Sequence, residues 1–122
     1  MKLHLARTAG QNAFTAYGEG FVMVNDRRHE TSLIVLPEQL ILDWEPRTSG
    51  DLTEAHFAHL ATLDVEIILL GTGNTLRFPA PRLTAPLVQA RIGCEVMDSH
   101  AAARTYNILM GEGRRVAAAL LL

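Results

Sequence analysis

Apolar and polar positions divide the chain into two unlike stretches. Between residues 21 and 44, short apolar runs alternate with turn chemistry. Residues 21–24 form one run, Asn25-Asp26-Arg27-Arg28 supplies a turn, and residues 31–36 and 40–44 follow as further runs. This spacing predicts an antiparallel meander in which 31–36 returns along 21–24 and 40–44 makes a third strand. Pro37 and Pro46 bound the later runs, and proline cannot donate to a ladder. Gly18 and Gly20 predict a bulge or a close backbone approach just before the first strand.

Beyond residue 52 the period changes. Thr53 is placed to cap a helix reaching about residue 62, with Leu52 and Phe57 as a hydrophobic staple and Phe57, Leu60 and Ala61 on its buried face. Residues 65–70 are a near-continuous apolar run of strand length, the pattern of a strand covered on both faces. Thr84 is the next candidate cap, Pro86 falls in the first turn, Leu83 and Val88 form a second staple, and Gly93 offers a left-handed exit. Residues 94–97 then read as a strand, Asp98 caps a helix to about residue 110, and 115–122 is a final apolar strand. The order ββ(β)-α-β-α-β-α-β predicts an α/β fold with a partly parallel sheet and right-handed crossovers. The amino-terminal meander is its antiparallel addition.

On the last helix, Ala101, Ala102, Thr105, Tyr106, Ile108 and Leu109 fall within one broad arc, while Ala103, Arg104 and Asn107 fall opposite. Thr105 is therefore expected to bond the carbonyl of Ala101 rather than act as a nucleophile. Tyr106 is expected to bury its ring and keep its hydroxyl bonded or wet. Arg104 and Asn107 are expected outward, where they contact a ligand or partner or pin a neighbouring loop.

At 122 residues, without repeat, linker or low-complexity tract, residues 1–122 are expected to form one domain. Hydrophobic residues at 48% and charged residues at 20% exclude a disordered chain. No apolar run approaches the roughly 18 residues of a spanning helix, so no membrane insertion is expected. The basic residues Lys2, His4 and Arg7 have no apolar stretch behind them, so no secretory signal is expected either. One cysteine, Cys94, excludes an internal disulfide and suits a reducing cytosol.

The net charge of −2 argues against non-specific nucleic-acid binding. From Arg77 to Arg115, however, six arginines stand against three acids, a bias that could meet a small anionic ligand or an acidic partner.

Gly71-Thr72-Gly73 directly follows an apolar strand, where α/β sheets gather ligands. Its glycines would let backbone N–H groups approach an anion, with Arg77 or Arg104 neutralising it, and Asn107 completes the candidate set. Neither a phosphate-binding lysine motif nor a full G-x-G-x-x-G is present, and no cofactor is implied. Cys94 opens a strand beside Glu95, which raises a thiol pKa, so an inert thiol is expected. His56 and His59 lie three apart on a helix but lack visible third and fourth ligands, so no metal site is expected. No complete catalytic constellation can be read, which tilts the reading away from an enzyme.

Gly71-Thr72-Gly73, Phe78-Pro79, Gly93 through Glu95-Val96-Met97-Asp98, Ala102, Arg104-Thr105-Tyr106-Asn107 and the 115–120 ending resemble domain-of-unknown-function family 498. The resemblance runs from about Gly18 onward. It departs from the family's small-residue-Pro-Trp pattern at Asp43-Trp44-Glu45-Pro46. It implies a three-layer α/β fold with a central mixed sheet and no established catalytic reaction. Eukaryotic relatives include a mitochondrial assembly factor for respiratory complex I, and no mitochondrial presequence is visible here. The expectation is a cytoplasmic, non-enzymatic interaction domain, possessing an unidentified protein partner and serving assembly of a respiratory or other membrane complex. The alternative is a protein binding an anion or nucleotide-like molecule, or an unrecognised enzyme, at Gly71-Thr72-Gly73.

Overall fold

The structure, a computed structural model, describes residues 1–3 and 10–122; His4 and Arg7 lie outside the described residues. The strands are β1 (Phe14–Gly18), β2 (Phe21–Val24), β3 (Arg27–His29), β4 (Leu33–Leu36), β5 (Gln39–Ile41), β6 (Ile67–Gly71), β7 (Gly93–Met97) and β8 (Val116–Leu120). The helices are α1 (Glu54–Leu60), α2 (Ala85–Gln89) and α3 (Ser99–Gly111).

β8 lies at the middle of a five-stranded sheet in the order β5-β4-β8-β6-β7, antiparallel to β4 and parallel to β6. Its sequence, Val-Ala-Ala-Ala-Leu, suits that place. Helices cover both faces, and three successive alanines let their side chains approach the sheet closely. Period-two geometry sends Leu33, Val35, Leu69, Val116, Ala118 and Leu120 to one face, where they meet α3, β1 and β2. Ile34, Leu36, Ile68, Leu70, Ala117, Ala119 and Leu121 go to the other, beneath α1 and α2. The result is the three-layer α/β arrangement with a central mixed sheet.

The meander differs from the expected one. The strand returning along β2 is β3, and β1 is a strand that the apolar pattern did not reveal. Residues 33–36 leave for the five-stranded sheet, where they pair with β8 and β5. The tight turn explains it: Asn25 and Asp26 both take positive φ (53° and 67°), the two-residue hairpin geometry. That turn makes Arg27 pair with Val24, too early for residues 31–36 to be the partner. The bulge falls inside β1, between Phe14 and Ala16, rather than just before β2, and Gly18 ends β1 against the Phe21 ring.

Two caps stand as expected. The Thr53 hydroxyl accepts from the His56 amide, and the Asp98 carboxylate accepts from the Ala101 amide at 2.9 Å. Thr84 does not cap: its hydroxyl donates to the Pro81 carbonyl, and a 3₁₀ turn over Pro81–Thr84 precedes α2. Val88 is 72% exposed, so it forms no staple with Leu83. The left-handed residue after α2 is Arg91 (φ 58°); Gly93 already belongs to β7.

Candidate functional site

The loop leaving β6 packs against the start of α3. A Cβ on Gly71 would lie 2.7 Å from Leu120 Cδ2 and 2.8 Å from Ser99 Cα. Only glycine therefore lets the last residue of β6 pass under the amino end of α3. The amide of Gly73 donates to Ser99 Oγ at 2.8 Å, and the Ser99 amide donates back to the Gly73 carbonyl. The Thr72 amide donates to the Met97 carbonyl. The buried Thr72 hydroxyl donates to the Thr75 carbonyl (2.7 Å) and accepts from the Arg77 amide (3.0 Å). Gly73 takes φ 90°, which bends the loop back on itself. The amides of Thr72, Gly73 and Arg77 thus point at protein acceptors. Ser99, which sequence reasoning did not single out, is the centre of this closure, and its own hydroxyl donates to the Leu121 carbonyl.

Arg104 and Asn107 lie further along α3 and face the three-stranded sheet, away from that loop. Asn107 is buried, which corrects the outward placement expected of it. Its Oδ1 accepts from the Phe14 amide at 2.9 Å and its Nδ2 donates to the Phe14 carbonyl at 2.7 Å. The side chain thereby imitates a paired strand residue and fastens β1 to the helix. The buried stripe of α3 is Ser99, Ala102, Ala103, Tyr106, Asn107 and Met110, a regular three-and-four spacing. Ile108, placed in the apolar arc by sequence, is 61% exposed. The stripe is rotated because α3 is wedged between two sheets, so two directions are buried. Arg104 is exposed, with Nη1 donating to the Tyr17 hydroxyl at 2.6 Å. Thr105 bonds the Ala101 carbonyl as expected, and the Tyr106 hydroxyl donates to the Asn12 carbonyl.

A concave region lies between the loop after β6, α2 and β7. It has a volume of about 390 Å³ and is lined by Phe78, Pro79, Pro81, Leu87, Val88, Ile92, Cys94 and Val96 among others. Phe78 and Val88 are 75% and 72% exposed. Phe78-Pro79 carried part of the family resemblance, yet no periodicity marked Val88 or Ile92 as surface partners of that loop.

Cys94 lines this groove. Burial and, secondarily, the Glu95 charge raise its thiol to about 11. Its alkylation by iodoacetamide at pH 8 should be about a hundredfold slower than that of an unperturbed thiol, because so little thiolate is present. The rate should climb steeply between pH 9 and 11; a rate already near that of a free thiol at pH 8 would contradict the burial.

His56 and His59 are not equivalent. His59 is exposed, whereas both ring nitrogens of His56 are engaged: Nδ1 accepts from the Thr53 amide at 2.9 Å and Nε2 lies 2.8 Å from Glu45 Oε1. Thr53 and His56 together make the capping box of α1, and His59 has no part in it. Among the described residues no three metal-ligating side chains form a group.

The layering, the glycine-closed loop and the strand-mimicking asparagine define a small three-layer α/β protein with an apolar groove beside β7. The chain belongs to the family described as protein of unknown function (DUF498/DUF598), whose model matches residues 14–121. A crystal structure of a protein from Bordetella parapertussis is 40% identical, with a TM-score of 0.87 over 93% of this chain and 97% of that one. A solution structure of a Bordetella pertussis protein described as a Mth938-like domain is 35% identical, with a TM-score of 0.82 over 99% of this chain and 92% of that one. NADH dehydrogenase [ubiquinone] 1 alpha subcomplex assembly factor 3 of Mus musculus is 35% identical over 89 residues, covering 71% of this chain and 48% of that protein. The chain thus spans about half the length of that curated relative. No helix among the described residues is long and apolar enough to cross a membrane.

Proposed function

We propose that this chain is a non-enzymatic protein-binding domain that helps assemble a respiratory or other membrane complex, acting from the cytoplasmic compartment. The observation that carries the reading is its 35% identity to the mouse assembly factor over 71% of this chain. Two features are consistent with it. The amides of Thr72, Gly73 and Arg77 already serve internal acceptors, and the concave groove is lined mainly by apolar side chains, as the buried core of a protein interface is.

Deleting the gene in the organism of origin tests the proposal. The expected result is accumulation of incomplete complex on native gels and loss of NADH:quinone activity, both restored by the intact gene. A tagged copy should capture subunits of the same complex. A deletion strain with fully assembled complex and no captured subunit would sink the reading.

A further inference from the structure

We infer that the open edge of β7 and the groove beside it take an extended, acidic segment of a partner protein as an added strand. This rests on the partner-binding reading above and names the surface and the chemistry of that partner.

β7 ends the five-stranded sheet and, among the described residues, pairs only with β6. The Gly93 amide donates to the Glu66 carbonyl, and the Met97 carbonyl accepts from Thr72, so residues 93, 95 and 97 turn their polar groups toward β6. In a parallel ladder the intervening residues turn theirs away. The N–H and C=O groups of Cys94 and Val96 therefore point to the free edge. Such a row is a template for another strand, and sheets that must stay unpaired blunt it with prolines, bulges or several charges. β7 carries a single charge, Glu95, and no proline.

The side chains of Cys94 and Val96 lie on the groove side of the sheet, with Phe78, Val88 and Ile92 around them. A strand laid along β7 would place every second side chain on that same face. Its groove-facing positions must therefore be apolar. The charge of the rim specifies the rest. Arg77, Arg82 and Arg91 are exposed, each adjacent in sequence to a groove-lining residue, and no ion pair engages them among the described residues. Arg114 and Arg115, by contrast, are paired with Glu66 and Asp64. Three unpaired arginines beside an apolar trough favour carboxylates flanking the apolar positions. A second copy of this chain fits poorly. Two-fold pairing centred on Glu95 sets like charges opposite one another, and every such pairing adds three further arginines to the same face.

The probe is a fluorescein-labelled peptide of alternating valine and threonine, flanked on each side by aspartates. Its control carries lysines in place of the aspartates. By fluorescence anisotropy the acidic peptide should bind at least about tenfold more tightly, with a preference that shrinks as salt rises. The double variant R82E/R91E should remove that preference. Val96→Pro takes away an edge donor without costing a ladder bond and should abolish binding. Val88→Asp, at an exposed groove position, should weaken binding at an unchanged melting temperature, which separates surface loss from misfolding. Equal binding of both peptides, no binding of the acidic one, or full affinity in both Val96→Pro and Val88→Asp overturns the inference. A dimer in sedimentation equilibrium that Val96→Pro dissolves overturns it too, assigning the edge to a second copy. Failure of the peptide with the deletion defect intact removes this surface but not the assembly reading; normal assembly with acidic-peptide preference intact does the reverse.

Discussion

Removal of Leu120, Leu121 and Leu122 should leave a protein that is insoluble or melts far below the intact chain. Leu120 and Leu121 are fully buried on opposite faces of the sheet. Burial of each contributes about 1.5–3 kcal/mol. The truncation also deletes backbone partners: the Leu121 amide donates to the Gly71 carbonyl, and the Leu121 carbonyl accepts from Ser99. Each such bond adds about 1 kcal/mol. The sum, about 5–8 kcal/mol, is comparable with the roughly 5–15 kcal/mol that holds a domain together. The same cut strips the Ser99 hydroxyl of its acceptor, so the β6 loop should loosen with the core. Circular dichroism melts compare the two proteins, with Leu122→Ala as a milder reference at a partly buried site. A soluble truncation with an unchanged midpoint would mean that these leucines contribute nothing to the core.

Replacing Asn107 with leucine should lower the melting temperature by about 10 °C. The substitution keeps the branched shape and the number of side-chain heavy atoms but abandons the Phe14 amide and carbonyl, both bonded by Asn107. Leaving a buried polar group unsatisfied costs about 1–3 kcal/mol, and two are left here. For a domain of this size, about 3 kcal/mol corresponds to a shift of that order. Asn107→Asp should do no better: it retains an acceptor for the Phe14 amide, loses the donor and buries a charge. Ile108→Gln, one position away on an exposed site, should leave the midpoint within about 2 °C, since surface substitutions move stability little. If Asn107→Leu melts with the wild type, the asparagine does not fasten β1.

These two positions separate what the sequence carries from what the fold adds. The leucine run is legible because an unbroken apolar strand has one stable location, in a sheet covered on both sides. The caps at Thr53 and Asp98 are equally local, since each satisfies an amide three residues away. The bonding of Thr105 to Ala101 spans one helical turn and can be read from spacing alone.

Asn107 is different. Its partner Phe14 lies 93 residues away in sequence, so a helical wheel sees only a polar residue and turns it outward. Burying it depends on a second sheet packing against α3, which no window of the sequence contains. The exit of residues 33–36 to the five-stranded sheet has the same origin. Pairing choice among apolar strands is settled by the Asn25-Asp26 turn and by the place that β8 offers beside β4. The candidate loop divides similarly. Gly71 and Gly73 announce a turn, but only the approach of Ser99 and Leu120 shows that Gly71 is required by packing and that the Gly73 amide has an acceptor within the chain. The sequence by itself determined the α/β class, the helix starts and the apolar central strand, because each depends on residues within a few positions of one another. Tertiary structure alone decided which strands pair, which polar side chains are buried and which sheet edge stays open, because those depend on groups brought together from distant parts of the chain.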